Sequence, residues 1–235
     1  MGLTDGEKLL LGSIPSRKEA VLNVLRNAII EGRLGPGARL EPDRIAADLG
    51  CSRMPVREAL KVLEVEGLVT CYPFRGTEVS QLRAEEVAEL FAMRTALECL
   101  ALTRSIPNLT DQELAKMGEI LATMDAPQDR ARWRELNQRF HSIINSASGW
   151  PRLVEQIDIL RRNVERYVRI WVDAQGYETP QRQHWALYEA CRARDVDAAQ
   201  RVLTEHFRDT ADMVQRVAAE RAIASPAPPH PAETH

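Results

Sequence analysis

The sequence predicts a mainly α-helical chain, with three helices and a β-hairpin in its first 80 residues and an all-helical antiparallel bundle after them. Three observations carry that prediction. Apolar residues recur at helical spacing through almost the whole length. Glycines and prolines divide residues 17–80 into helix, helix, tight turn, helix and hairpin. The one convincing hairpin signal lies before Ser80.

The first helix is expected over 17–32, where Ala20, Val21, Val24, Leu25, Ala28 and Ile29 form one stripe. Gly32 and Gly35-Pro36-Gly37 stop it, and Ala38-Arg39-Leu40 can form a short extended piece. A second helix over 42–49 turns Ile45, Ala46 and Leu49 inward and ends at Gly50. Ser52 suits the N-cap of a third helix, Arg53 to Glu66, with Pro55 in its first turn and Gly67 beyond its end. Leu68–Tyr72 and Thr77–Val79 read as strands around the turn Pro73-Phe74-Arg75-Gly76. That order is the winged helix-turn-helix.

Beyond Ser80, helices are expected at 83–105, 111–124, 128–147, 151–173, 179–194 and 195–222. Thr110 with Glu113 has the spacing of a capping box, and Asp195 can cap the last helix. Short connections between six helices favour an antiparallel bundle. The organisation expected is an arm (1–16), a winged domain (17–80), a helical domain (81–224) and a disordered tail with four prolines (225–235).

Composition narrows the function. The 235 residues are 44% hydrophobic and 28% charged, as in ordinary soluble domains. No apolar run approaches the roughly 18–20 residues that span a bilayer, and no secretory signal opens the chain. The four cysteines contain no CxxC pair, which fits a reducing, cytoplasmic setting and gives no zinc-finger framework. Net charge is −3; residues 17–79 hold ten Lys/Arg against nine Asp/Glu, and the rest 21 against 25. A DNA-binding reading must therefore rest on where the charges fall.

On the third helix they fall together. Placed at about 100° per residue, Val56, Ala59, Leu60 and Leu63 share one side, and Arg53, Met54, Arg57 and Lys61 share the other. A helix with one packed face and one basic face, third in a winged-helix order, suits a major groove. Arginine can fork onto guanine, and lysine more often meets phosphate. Arg75 and Gly76 at the hairpin tip can approach the neighbouring groove. The plainer alternative is a set of solvated surface charges.

The stretch from Leu34 to Val79 resembles the N-terminal domain of the GntR transcription regulators. Pro36-Gly37-Ala38-Arg39-Leu40, Ser52-Arg53-Met54-Pro55-Val56-Arg57-Glu58-Ala59-Leu60 and Glu66-Gly67-Leu68-Val69 carry the likeness. The resemblance implies operator contacts by Arg53 and Arg57 and a minor-groove approach at Gly76. It departs at Asp43, where the family often has an arginine; Arg44 is the candidate substitute.

Three of the five histidines, His141, His184 and His206, fall on three different expected helices. Asn137 precedes His141 by one turn, on a face with Trp133, Phe140 and Ile144. Three neutral imidazoles from three helices either hold a divalent transition ion, with Asn137 adding an oxygen, or serve as hydrogen-bonded core residues. Arg94 either pairs with Glu98 at i,i+4 or turns to a pocket and grips a carboxylate.

Residues 83–220 resemble the FCD effector domain, through "AMRTALE", "LNQRFH" and a histidine on each of the closing two helices. The likeness implies a metal held by Asn137, His141, His184 and His206, with Asn where the family has Asp. Zinc is expected first, with nickel or manganese as alternatives. It also implies Arg94 as the group that takes a small organic acid. The expected protein is a homodimeric, metabolite-responsive regulator of a double-stranded DNA operator, acting as a repressor. Its rivals are a metalloenzyme built on three histidines and an architectural DNA binder without an effector.

Overall fold

The computed structural model describes residues 16–126, 129–175 and 178–224. The arm expected over 1–16, except Ser16, and the tail expected over 225–235 lie outside the described residues. The chain divides into two compact units, the first reaching Arg83 and the second spanning Ala84–Val217.

In the first unit, α1 (Arg17–Ile30), α2 (Pro42–Leu49) and α3 (Arg53–Val65) pack with β1 (Arg39–Leu40), β2 (Val69–Tyr72) and β3 (Gly76–Val79). The expected apolar stripe of α1 is buried in full. It meets Ile45 and Leu49 of α2 and Val56, Ala59, Leu60 and Leu63 of α3 in one core. Each Val, Leu or Ile side chain among them contributes about 1.5–3 kcal/mol when removed from water. Arg26 on α1 forks onto Glu66 after α3, with Nε and Nη2 donating to separate carboxylate oxygens at 2.9 and 2.7 Å.

Three local expectations need correction. The extended piece at Arg39–Leu40 is a strand that pairs antiparallel with β3, Leu40 opposite Thr77, so the hairpin belongs to a three-stranded sheet ordered β1-β3-β2. Ser52 has the extended backbone of an N-cap, yet its side chain makes no capping bond. α1 stops at Ile30, because Gly32 takes φ +74° and turns the chain.

The second unit holds α4 (Ala84–Asn108), α5 (Asp111–Asp125), α6 (Arg130–Ser146), α7 (Pro151–Gln175), α8 (Glu178–Arg192) and the first part of α9 (Val196–Ala224). α4 packs on α6 and α7, and α5 on α6 and α8. α4 runs three residues past the expected end, through Pro107. Arg194, itself at φ +59°, donates to the carbonyls of Ile106 and Leu109 and closes that end. Gly118 lets α8 come near, since a Cβ there would lie 3.1 Å from the Tyr188 hydroxyl. Asp125 ties the same pair of helices by accepting from Gln181 Nε2 at 2.8 Å and Trp185 Nε1 at 3.0 Å. The Asp195 cap forms, accepting from Ala198 N at 2.8 Å.

The Thr110–Glu113 capping box is complete. The Thr110 backbone and hydroxyl donors hold the Glu113 carboxyl below its ordinary value. A carboxyl lowered by folding contributes stability above its unfolded value of 4.5, and that stability fades as pH falls through the lowered folded value. Thr110→Ala is expected to cost about 0.5–2 kcal/mol at pH 7. In urea titrations the gap between Glu113→Gln and the parent narrows steadily below pH 4.5; a constant gap down to acid unfolding would contradict the reciprocal cap.

Candidate DNA-reading face and histidine pocket

The third helix presents the two faces read from its sequence. Val56, Ala59, Leu60 and Leu63 are buried, while Arg53, Met54, Arg57 and Lys61 are exposed. Arg44 on α2 is exposed as well. Arg53 is held, with Nε 2.5 Å from Asp43 Oδ1 on α2, and both side chains stay about two-thirds exposed (68% and 63%). Among the described residues Arg44, Arg57 and Lys61 have no ion pair. At the hairpin tip Phe74 is fully exposed at φ +63°, and Gly76 sits at φ +93°, a conformation that suits glycine. The Arg75 backbone carries the turn: its N donates to Tyr72 O at 3.1 Å, and its O accepts from Arg39 Nη2 at 2.7 Å.

The second unit gathers the three histidines at one point. His141 on α6, His184 on α8 and His206 on α9 are buried, and one ring nitrogen from each lies within 4.8 Å of the others. His141 Nε2 and His184 Nε2 face each other at 3.3 Å. Two nitrogens each about 2.0–2.1 Å from a shared zinc at the tetrahedral angle lie roughly 3.3–3.4 Å apart, so this spacing fits an ion. His206 is oriented from behind. Gln183 Nε2 donates to Asp209 Oδ2 at 2.8 Å, which turns Gln183 Oε1 to His206 Nδ1 at 2.9 Å. Nδ1 therefore carries the proton, and Nε2 keeps its lone pair for the cluster.

Electrostatics favour the neutral, ligating form of all three rings. Burial is the largest cause, pushing His141 and His184 well below the usual 6.5 and His206 to about 4. Arg94 adds to the lowering at His141 and His206, and Asp209 opposes it at His206. Asn137 Oδ1 and His184 Nδ1 are among the buried atoms without a hydrogen-bond partner. An orphaned amide oxygen beside three imidazoles is the donor a cation would satisfy. The orphaned Nδ1 of His184 lacks the outer support that His206 has.

Arg94 makes the i,i+4 pair with Glu98 that its spacing offers. Its Nε and Nη2 donate to Glu98 Oε1 at 3.1 and 2.8 Å, and the guanidinium lies 4.3 Å from the Phe207 ring centre. Asn145 Nδ2 donates to the other Glu98 oxygen at 3.2 Å. Arg94 also lines the histidine cavity, with its Nη1 free of hydrogen bonds among the described residues. The cavity measures about 50 Å³. One water takes about 10–15 Å³ on that measure, so the space suits an ion and a compact ligand.

Comparison with known proteins decides what these two sites belong to. Residues 17–79 match the family described as bacterial regulatory proteins, gntR family, and residues 89–209 match the FCD domain. The chain belongs to the GntR family and carries an FCD domain. This GntR protein is 25% identical over 208 residues to the HTH-type transcriptional repressor RspR of Escherichia coli, covering 87% of this chain and 91% of the relative. Among solved structures it is similar to E. coli McbR/YncC, at TM-score 0.75 and 26% identity, over 86% of this chain and 99% of that one. A GntR regulator from a Rhodococcus species matches at TM-score 0.70 and 28% identity, over 84% and 97%.

The GntR protein is thus a DNA-binding transcriptional regulator, and the enzyme reading of its three histidines falls away. The fold brings together Asn137, His141, His184, His206 and Arg94 around one cavity. It places Arg53, Met54, Arg57 and Lys61 on one exposed face. Sequence reasoning missed Gln183, Asp209 and Arg161. Gln183 directly precedes His184, and Asp209 follows His206 by three residues, the only signals either carried. Arg161 lines the cavity and pairs with Glu165 at 3.0 Å on its own helix; nothing in its i,i+4 spacing distinguished it from a surface pair. Among the described residues no helix is long and apolar enough to cross a membrane.

Proposed function

We propose that this GntR regulator is a cytoplasmic, homodimeric repressor whose FCD domain binds a divalent ion and a small organic acid, and releases its operator when the acid binds. In this reading residues 17–80 grip DNA, and residues 81–224 sense the acid and dimerise. The single observation that carries the sensor is the cluster of three buried, neutral imidazoles beside the partnerless Asn137 oxygen. His141, His184, His206 and Asn137 would hold the ion. Zinc is favoured by the nitrogen-rich donor set and the 3.3 Å spacing; nickel or manganese are the alternatives. The ion supplies a positive centre that attracts an acid's carboxylate. Arg94, with one guanidinium nitrogen to spare, would take the same ligand. The acid then acts by favouring one arrangement of the dimer over another. The repressor assignment follows the name of the relative RspR.

The exposed faces support the rest. Arg53, Met54, Arg57 and Lys61 would enter the major groove, helped by Arg44, while Arg75 and Gly76 reach the adjacent backbone. On α4, Met93 and Leu100 stay 40% and 43% exposed, with exposed Ala96 between them at helical spacing. Such a stripe suits a second copy of the chain.

Four measurements test the proposal. Arg53→Ala with Arg57→Ala is expected to weaken operator binding at least tenfold in gel shift, since a base-reading fork is worth about 1–3 kcal/mol and a lost phosphate contact adds to it; unchanged affinity and selectivity would remove the DNA-reading face. Purified protein should contain one zinc-class ion per chain, lost in His206→Ala, and Gln183→Leu should weaken that ion about 10–100-fold. Loaded protein, but not stripped protein, should gain thermal stability with one of a panel of small acids; no ion and no stabilising acid would leave an architectural DNA binder. Met93→Lys with Leu100→Lys should give monomers by light scattering and weaker operator binding; a dimer of parental strength would place the interface elsewhere.

A further inference from the structure

On the DNA-reading face one cation is treated differently from the others. Arg44, Arg57 and Lys61 are exposed and have no ion pair among the described residues, whereas Arg53 has its Nε fixed 2.5 Å from Asp43 Oδ1. The pair bridges the two helices of the helix-turn-helix, from the first turn of α2 to the first residue of α3. Asp43 is out of place on electrostatic grounds alone. A carboxylate on a face that meets phosphates costs affinity, because it opposes the attraction the cations supply. Nor does folding need it, since both side chains are about two-thirds exposed and exposed pairs contribute about 0–1 kcal/mol.

What the pair does is orient. A carboxylate on Nε leaves the two terminal nitrogens, Nη1 and Nη2, side by side and pointing away, which is the edge that forks onto O6 and N7 of guanine. It also fixes a side chain that otherwise loses about 2 kcal/mol of rotamer freedom on binding. We propose that Asp43 is a positioning residue for sequence specificity: it holds Arg53 ready to read a guanine in each half-site, while Arg44, Arg57 and Lys61 supply phosphate affinity. The inference rests on the third helix being the reading helix, and it divides that helix into one reader and several grips.

The test begins with a duplex library randomised over its core, from which the full-length wild type selects its preferred site. Single-base variants of that site, and an unrelated duplex, are then titrated with wild type, Asp43→Asn and Arg53→Ala. For wild type, replacing one particular G·C pair per half-site is expected to cost about tenfold or more. Asp43→Asn should bind the unrelated duplex as tightly or more tightly, yet lose about tenfold of discrimination at that pair and none elsewhere. Arg53→Ala should abolish discrimination at the same pair, and adding Asp43→Asn to it should change that pair's discrimination no further. Thermal unfolding of Asp43→Asn should match the parent. The proposal is overturned if Asp43→Asn strengthens all duplexes equally with discrimination intact, or if the discrimination it loses lies at a pair that Arg53→Ala leaves unaffected. Should Arg53→Ala keep every base preference of wild type, the assignment of the third helix as the reader falls, a different failure from either of these.

Discussion

The helical unit depends on one constraint: an imidazole nitrogen taken out of water must find a partner. Three such rings are buried around one point, on three helices that are separate in sequence. The constraint explains the polar groups behind and beside them. Gln183 and Asp209 exist as a relay that satisfies the outer nitrogen of His206. Glu98 satisfies Arg94, and Asn145 satisfies the remaining oxygen of Glu98. Asn137 Oδ1 and His184 Nδ1 are left without a hydrogen bond, as are Ser105 Oγ and Gln181 Oε1, which do not line the cavity. A core selected only for stability would fill such a site with apolar side chains, because a half-satisfied polar cluster is worse than none. The unpartnered Asn137 oxygen beside the three rings is what the proposed ion would satisfy.

The winged unit meets a different constraint, since one short helix must both build a core and face a highly charged partner. α3 solves it by period alone, with buried positions at Val56, Ala59, Leu60 and Leu63 and basic positions on the opposite side. The Arg26–Glu66 fork then fixes the far end of that helix against α1. The reading face therefore rides on a core element, and its geometry is as rigid as the packing beneath it.

Much of this was legible in the sequence, for reasons that can be named. The stripe of α1, the two faces of α3 and the Thr110–Glu113 box are local patterns whose physics acts within four residues. The strand at Arg39–Leu40 was not secured, because two residues carry no period and the pairing with β3 is a long-range event. Ser52 looked like a cap because residue type was right, whereas a capping bond also needs the hydroxyl to turn inward. The histidines were found by type and helix, but type cannot say that rings 43 residues apart approach to 3.3 Å. Gln183 and Asp209 were invisible for the same reason: an outer partner is defined by what it touches.

Charge placement shows how a nearly neutral domain can still favour DNA. Residues 17–79 carry ten basic and nine acidic side chains, so bulk attraction is negligible. The pairing is uneven, however. Arg26 is bound to Glu66 and Arg33 to Glu31, which neutralises them within the fold. Arg44, Arg57, Lys61 and Arg75 have no ion pair among the described residues, and all are exposed. Apart from the Arg53–Asp43 pair, acidic residues of the unit thus cancel cations in other places and spare those on α2, α3 and the wing. Counterion release depends on the cations that reach phosphate and is indifferent to the domain total. A unit with net charge near zero can in this way keep a local field for DNA and avoid a general one, and sequence selection then falls to the few side chains whose orientation is fixed.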